Sequence, residues 1–393
     1  MKILAVNCGS SSLKFKMYEM PEEEVLISGL FERIGDKGSS YTIKVNGEKY
    51  SKEIDLPTHT TAFEILVEEL KKNKIIKKLS EIKGVGHRIV QGGAYFDKTV
   101  EADEDAVSKI QELATLAPLH NAAAITGINA AKEVIPDALQ TVTFDTAFHQ
   151  TMEPVNYMYA VPYEWSIDFK VRKYGAHGTS HRYIAQTLKQ ELGKDDLDII
   201  SCHLGNGGSI TAIKDEKCVD TSMGFTPHAG IMMGTRSGDI DVSIVPYIME
   251  KEGKSASEIM NDLNKKSGFL GVSGVSSDSR DIENGIKEGN ERCILAEEMY
   301  VNSIVKYIAQ YYVLLGHVDA IAFTAGIGEN SPETRAAVIE KLACLGIKID
   351  PEKNNIRGKF AKISTDDSTV EVYVVPTNEE LMIARDTLNL INR

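Results

Sequence analysis

Two arginines stand in positions where a surface arginine is uncommon. Arg88 lies within a short apolar run, residues 84–90, that is typical of a strand, and Arg236 is flanked by Gly234 and Gly238. The planar, permanently charged guanidinium binds a carboxylate or a phosphate through two parallel hydrogen bonds. The alternative for each residue is a structural arginine that pairs with a carboxylate of the protein itself. The two arginines therefore predict a site that binds small anions.

Three stretches of small residues follow predicted strands. Residues 3–12 align with residues 199–208, so a strand, a small-residue turn and a second extended run occur twice. A third stretch, residues 326–330, lies between a buried strand and the start of a predicted helix. Exposed backbone N–H groups in such turns bind anions, and open α/β sheets bind ligands at the carboxyl ends of their strands. Together the three turns predict a nucleotide-phosphate site, although each alone is also compatible with an ordinary loop.

The phosphate motifs of two other classes of nucleotide-binding protein are absent. No GxxxxGK[ST] run occurs, which excludes a P-loop ATPase, and no GxGxxG run follows the first strand, which argues against a Rossmann dehydrogenase. The repeat instead predicts duplicated domains that face each other across a phosphate-bearing ligand.

Composition and charge limit the class of protein further. The chain has 393 residues, of which 42% are apolar, and a net charge of −13. That length exceeds one ordinary core and predicts two domains. No apolar run approaches the ~20 residues that span a bilayer, and the first residues lack the features of a signal peptide, so we expect a cytoplasmic protein without membrane segments. The acidic balance argues against nucleic acid as a partner, and a phosphate site must then gather its cations locally.

The cysteines give no sign of a disulfide framework or a zinc site. There are five, an odd number, and none forms a CxxC pair. We expect buried, reduced thiols at the positions Cys8, Cys202, Cys218, Cys293 and Cys344.

Predicted strands and helices alternate along the chain, which indicates an α/β protein whose sheets are mixed because the hairpins are antiparallel. One hairpin, residues 41–50, turns at Asn46-Gly47, a strong type I′ signal. The other predicted strands cover residues 3–6, 13–18, 25–34, 84–90, 139–144, 197–203, 209–213, 319–324 and 370–375. The predicted helices cover residues 58–74, 103–117, 121–135, 180–192, 242–251, 256–265, 279–287, 292–315 and 379–390, with another beginning at Pro332.

Several motifs in this order closely resemble the acetate kinases. They are NCGSSSLK (7–14), GAHGTSH (175–181), HLGNG (203–207), GTRSGD (234–239) and GIGEN (326–330), and the resemblance extends over nearly the whole chain. It implies a duplicated, ribonuclease-H-like (actin-like ATPase) two-domain fold with mixed sheets flanked by helices. The implied N-terminal, acid-binding lobe is 1–145 plus 377–393, and the implied C-terminal, nucleotide-binding lobe is 146–376. Members of this family pair as homodimers, and residues 296–315 are a candidate contact helix, or equally part of the core.

The resemblance also implies a reaction, the reversible transfer of the γ-phosphoryl group of ATP to acetate, and a set of site residues. The implied catalytic residues are Arg88, Asp145, His177 and Arg236. The acid pocket is expected to contain Arg88, Val90, Leu119, His120, Ala176 and Pro227. The nucleotide is expected at Ser10, Ser12, Lys14, His203, Leu204, Gly205, Asn206, Gly207, Asp278, Ser279, Arg280, Gly326, Ile327, Gly328, Glu329 and Asn330. A Mg²⁺ ion, with Mn²⁺ as an alternative, is expected at Asn7 and Glu379.

The role of Asp145 is open. The family describes Asp145 as an acid/base, but a small carboxylic acid is already ionised at pH 7 and has no proton to lose. Orienting an arginine or a metal-bound water is then the better role for Asp145, and a helix N-cap is the structural alternative. His181 is expected to cap or line the helix that follows it.

Ala176 replaces the phenylalanine that the family usually carries before the histidine. A smaller side chain predicts a wider acid pocket that admits propionate without strongly rejecting acetate. A propionate or butyrate kinase of the same fold is therefore one alternative. An actin-like ATPase that grips a protein is the other, and acid-independent ATP hydrolysis would identify it.

Overall fold

The computed structural model describes residues 1–393, apart from the side chains of Pro118 and Leu119. The chain forms two compact units, residues 1–150 with 378–393, and residues 151–377. Each unit contains one mixed sheet with flanking helices. No helix in the described part of the chain is long and apolar enough to cross a membrane.

The first unit contains an eight-stranded sheet in the order β5-β4-β3-β2-β1-β6-β8-β7 once its strands are numbered along the chain. These strands are β1 (Lys2–Gly9), β2 (Ser12–Glu19), β3 (Glu24–Glu32), β4 (Ser40–Val45), β5 (Glu48–Glu53), β6 (Ile82–Ile89), β7 (Val100–Glu101) and β8 (Leu139–Phe144). Strands β1, β6 and β8 run parallel, while the strands from β1 to β5 pair as antiparallel hairpins. Asn46 and Gly47 both have positive φ, as the predicted type I′ turn requires.

The second unit contains a six-stranded sheet in the order β11-β10-β9-β12-β14-β13. Its strands are β9 (Asp198–Leu204), β10 (Gly208–Lys214), β11 (Lys217–Thr221), β12 (Ala320–Thr324), β13 (Ala361–Lys362) and β14 (Glu371–Val374). The antiparallel hairpin β9–β10 lies beside the parallel strand β12, just as β1–β2 lies beside β6. The sequence repeat is therefore also a structural repeat.

The helices cover one or both faces of these sheets because each presents an apolar stripe to a core. They are α1 (His59–Lys72), α2 (Glu104–Glu112), α3 (Pro118–Val134), α4 (Pro154–Tyr157), α5 (Tyr163–Asp168), α6 (Gly178–Leu192), α7 (Ile244–Glu252), α8 (Ala256–Lys265), α9 (Gly268–Ser273), α10 (Ser279–Lys287), α11 (Glu291–Leu315), α12 (Ala325–Asn330), α13 (Pro332–Lys341), α14 (Pro351–Asn354) and α15 (Glu379–Ile391). In α11, Tyr300, Ile304 and Ile308 are buried in the core of the second unit. In α1, Phe63, Leu66 and Leu70 belong to the core of the first unit.

Three local predictions differ from the structure. Residues 326–330 belong to the short helix α12 and do not form an open turn, because the Glu329 carboxylate folds back and accepts the N–H of Ala325 at 2.9 Å. His120 lies in α3, where we expected a linker between two helices. Cys344 is exposed, whereas the other four cysteines are buried and free as predicted.

Candidate active site

In the first unit, Arg88 and Asp145 come from neighbouring parallel strands. Arg88 is on β6, opposite Thr143 of β8, and Asp145 follows the end of β8. The Asp145 carboxylate accepts from Arg88 Nε at 2.9 Å and from Nη2 at 2.7 Å, and only 2% of its side chain is exposed. The ion pair that we named as the structural alternative for Arg88 is thus present, and it fixes the plane of the guanidinium. Asp145 is a partner of Arg88 and not a helix N-cap.

Glu379, at the start of α15, adds a second carboxylate to this group. Its Oε1 atom lies 3.6 Å from Arg88 Nη2, is buried, and has no hydrogen-bond donor among the described residues. Burial raises the pKa of Glu379, and the nearby Asp145 carboxylate raises it further. The Arg88 cation lowers this pKa, but the net shift is upward. Burial by itself lowers the pKa of Arg88, but Asp145 and Glu379 raise it overall. Arg88 is therefore tightly paired with Asp145, whereas the Glu379 carboxylate lacks an equally close positive charge.

Asn7 and Lys14 reach the same end of the sheet. Asn7 follows Val6, which pairs with His87, so it is level with Arg88 in the register of β1 and β6. Across the β1–β2 hairpin Asn7 pairs with Lys14, whose Nζ lies 2.5 Å from Glu380 Oε1. Among the described residues no three His, Cys, Asp or Glu side chains are grouped to hold a metal. A cation at Glu379 and Asn7 would thus take most of its ligands from elsewhere, as Mg²⁺ commonly does from phosphates and water.

The other predicted site residues of the first unit lie at the β1–β2 turn, directly after β6 and in α3. Ser10 is exposed and Ser12 half-buried, at the turn between β1 and β2. Val90 is half-buried immediately after β6, and His120 is an exposed residue of α3. The predicted contact of Leu119 lies outside the described residues.

In the second unit, His177 and Arg236 flank Gly207. His177 has left-handed backbone angles, φ 57° and ψ 21°, and its ring stacks on that of His203 at 4.0 Å. A Cβ added to Gly207 would lie 2.9 Å from Arg236 Nη2 and 3.7 Å from His177 Cε1, so a side chain at this position would push the guanidinium aside. A left-handed non-glycine residue is strained, and such strain is common at functional sites.

Arg236 differs from Arg88 in its charge environment. Arg236 Nη1 donates to the Pro227 carbonyl, and no carboxylate of the described residues lies within 4.0 Å of the guanidinium. Burial lowers the pKa of Arg236. A half-buried cation without an anionic partner is an electrostatic cost that a bound anion would offset. Arg236, beside His177, is therefore the strongest anion site in the second unit.

A cavity of about 500 Å³ adjoins the β9–β10 turn in the second unit. That volume suits a ligand of nucleotide size. The predicted nucleotide residues that line it are Gly205, Asn206, Asp278, Ser279, Arg280, Gly326, Ile327 and Asn330. The prediction missed Ser277 and Ser331, which are the immediate neighbours of predicted residues, and it also missed Glu283 of α10 and the distant Arg357. Arg357 did carry a sequence signal for an anion site, because it is a cation followed directly by a glycine, Gly358.

Several predicted nucleotide residues support the cavity without lining it. Leu204 is fully buried in the core, and the Gly328 carbonyl accepts from the buried Arg335 at 2.9 Å. The Glu329 carboxylate accepts the N–H groups of Ala325 and Thr377. Asp278, which does line the cavity, also caps α10 and pairs with the exposed Arg280, which lowers the pKa of Asp278 to about 2.

Ala176 and Pro227 also belong to the second unit. Ala176 is buried and packs with Met223 and Met233. Pro227 is half-buried and accepts the hydrogen bond from Arg236. Two methionines thus occupy space beside the small side chain that we predicted to widen the acid pocket.

Comparison with known proteins identifies relatives that match nearly the whole chain. The profile of the acetokinase family matches residues 2–385. The acetate kinase of Bacillus subtilis (strain 168) is 53% identical over 391 residues, which cover 99% of each chain. The crystal structure of Porphyromonas gingivalis acetate kinase has a TM-score of 0.95 at 47% identity, and that of a propionate kinase from Francisella tularensis has 0.94 at 42%, each over 99% of both chains. The predicted duplicated, actin-like ATPase fold is confirmed.

Proposed function

The chain belongs to the acetokinase family, and from this premise we propose that it transfers the γ-phosphoryl group of ATP reversibly to acetate, giving acetyl phosphate and ADP in one in-line step. The observation that carries the proposal is Arg236, a half-buried cation without a carboxylate partner, beside Gly207 and His177. The same unit contains the cavity lined by the predicted nucleotide residues. Phosphoryl transfer depends mainly on positioning and on neutralising charge, and a single aimed arginine contributes roughly 10³–10⁵ in rate.

We assign Arg88 to the carboxylate of acetate. Asp145 engages Nε and Nη2 of its guanidinium, so Nη1, which has no hydrogen bond with the described residues, is the nitrogen that faces a substrate. Asp145 then acts by orienting Arg88. Proton transfer is unnecessary because acetate is ionised at neutral pH.

We assign Arg236 and His177 to the transferring phosphoryl group. Arg236 offsets the negative charge of the phosphoryl oxygens, and the approach of a ligand is eased because Gly207 has no side chain. His203, which stacks on His177, supports its ring and is a candidate phosphate contact.

A divalent metal fits the first unit at Glu379 and Asn7, and we propose Mg²⁺, with Mn²⁺ as a substitute. The support is the buried Oε1 atom of Glu379, which accepts no hydrogen bond from the described residues and shares the Arg88 cation with Asp145. When bound, such an ion neutralises charge on the phosphate oxygens of the nucleotide. Lys14, held by Glu380, is assigned to the nucleotide phosphates together with Ser10 and Ser12.

The lobe roles, cellular location and assembly are also proposals. We assign the acid to the first unit and the nucleotide to the second, in a cytoplasmic homodimer. Helix α11 supports the dimer, because it buries one face in the core and yet exposes Leu295, Met299, Val313 and Leu314. Light scattering of the purified protein should give twice the monomer mass of 43.2 kDa.

The experiment that tests the function is acyl-phosphate formation by the purified protein. ATP, Mg²⁺ and each of formate, acetate, propionate and butyrate are supplied, and the acyl phosphate is trapped as its hydroxamate. Acetate should be the best acceptor. ATP hydrolysis that needs no acid, without any hydroxamate, would contradict the proposal and favour an actin-like ATPase.

A propionate kinase is the second candidate, and Ala176 favours it. A small side chain supports a wider acid pocket, although Met223 and Met233 pack beside it, and a propionate kinase is among the similar structures. A kcat/KM higher for propionate than for acetate in the same assay would establish it.

A further inference from the structure

A row of buried side chains leads from the centre of the second sheet to His177. The Ser201 hydroxyl lies 2.8 Å from His181 Nδ1, His181 Nε2 lies 2.7 Å from the Ser209 hydroxyl, and Ser209 lies 2.9 Å from His177 Nδ1. Ser201, His181 and Ser209 are all fully buried. His181, expected to cap or line a helix, in fact uses both ring nitrogens to join two strand serines.

The secondary structure explains why these groups meet. Ser201 is on β9 and Ser209 is on β10, the neighbouring antiparallel strand. His177 and His181 are four residues apart at the start of α6, so they lie on one face of that helix. The helix therefore brings two imidazoles against the serines of one hairpin.

When both rings are neutral, only one donor-to-acceptor order along these three hydrogen bonds leaves no buried donor unpaired. Ser201 has no other hydrogen-bond partner among the described residues, so its O–H is satisfied only by donating to His181 Nδ1. The hydrogen of the neutral His181 ring is then on Nε2 and is donated to Ser209. Ser209 in turn donates to His177 Nδ1, which places the His177 hydrogen on Nε2. The reverse direction would bury the Ser201 hydrogen without an acceptor, which is unfavourable.

We propose that Ser201, His181 and Ser209 are positioning residues that hold neutral His177 in its Nε2–H tautomer. This inference rests on the proposed function, because it gives His177 a hydrogen to donate to the transferring phosphoryl group. The opposite tautomer would present a lone pair on Nε2, which repels an anion. A neutral histidine can serve a phosphate site only in the first of these forms.

The tautomer can be measured directly. Protein labelled with ¹⁵N at its histidine rings is studied by long-range ¹H–¹⁵N correlation NMR, without ligands and at a pH where the rings are neutral. The His177 signal is identified by its loss in His177→Gln. We expect the Nε2–H pattern in the unmodified protein, and a mixture of both tautomers in Ser209→Ala and in Ser201→Ala.

Kinetics give an independent measurement. In Ser209→Ala the kcat for acetyl phosphate formation should fall by about 10- to 100-fold, while the KM values for acetate and ATP change by less than about threefold. Ser209→Thr keeps the hydroxyl and should restore most of the activity. The matched control is Thr211→Val, which removes another fully buried hydroxyl of β10, one bonded to Thr221 at 2.8 Å. That variant should keep the wild-type tautomer and kcat.

The outcomes separate this inference from the proposed function. An Nδ1–H pattern for His177 in the unmodified protein, an unchanged tautomer in both serine variants, or an equal loss of kcat in Thr211→Val would overturn it. If Ser209→Ala does not fold, Ser201→Ala decides, since that residue does not contact His177. If the unmodified protein forms no acyl phosphate, the proposed function fails, and the NMR result still decides whether the row sets the tautomer.

Discussion

Removing Arg88 and removing Arg236 should affect stability differently although both variants lose activity. Arg88 makes two hydrogen bonds to Asp145, at 2.9 and 2.7 Å, and Glu379 lies 3.6 Å away. Arg88→Ala therefore leaves two buried carboxylates without their cation. Breaking a buried ion pair by removing one partner costs about 3–5 kcal/mol. For a unit of this size that corresponds to a melting temperature lower by roughly 6–20 °C.

Arg236→Ala should leave stability almost unchanged. The substitution removes a hydrogen bond to the Pro227 carbonyl, but it also removes a desolvated charge that no described carboxylate offsets. These contributions oppose each other, and we expect a net change within about 1 kcal/mol. The rate of acetyl phosphate formation should nevertheless fall by about 10³–10⁵ in both variants.

Differential scanning calorimetry tests this contrast, with Arg88→Met/Asp145→Asn as the control. That double variant replaces the ion pair by neutral groups of similar size, so it should regain part of the stability, since Glu379 still lacks its cation, but none of the activity. Two results would refute the reasoning. One is an Arg88→Ala variant that melts within about 2 °C of the unmodified protein; the other is an Arg236→Ala variant that loses as much stability as Arg88→Ala.

The remaining predictions concern pH, the metal and the acid. Burial lowers the pKa of His87 to about 4, so between pH 6.5 and 4 the unfolded chain binds a proton that the folded protein does not. Urea unfolding should therefore show about 3 kcal/mol of stability lost as the pH falls through this range. His87→Gln should remove most of that loss, and an equal slope in both proteins would contradict the assignment. Glu379→Gln should raise the Mg²⁺ concentration for half-maximal activity by about 10-fold or more; an unchanged value would exclude Glu379 as a metal residue. Ala176→Phe should lower the propionate-to-acetate ratio of kcat/KM and destabilise the protein by about 1–3 kcal/mol, because the ring must displace Met223 or Met233. Identical ratios would show that position 176 does not set the acid preference.

The parts of the fold that depend on local sequence were predictable. The Asn46-Gly47 hairpin follows from the residues that its turn requires. The repeated strand–turn–strand follows from small turn residues and from the alternation of side chains along a strand, and both signals need only a few residues. Helix α12 was missed because its six residues are too few to show a helical period, and the Glu329 side chain supplies the bond that begins it. Arg357 was missed because it reaches the cavity from a segment distant in sequence.

The role of His181 shows a different limit. Its neighbours Ser201 and Ser209 are identified only by the pairing of β9 with β10 and by the packing of α6 against that hairpin. A glycine-flanked histidine motif predicts that a ring can approach a ligand, but it does not show which nitrogen holds the hydrogen. That property depends on tertiary hydrogen bonds.

The charges around the two arginines explain how an acidic protein can bind anionic substrates. One cation, Arg88, faces two carboxylates, Asp145 and Glu379, so this group has room for further positive charge, which is consistent with the metal ion that we propose there. Arg236 has no described carboxylate within 4.0 Å, so its positive charge is not neutralised within the second unit, as the proposed phosphoryl contact requires. A net charge of −13 therefore does not decide what the protein binds. Within a Debye length of about 8 Å, the few charges beside the substrate outweigh the distant ones.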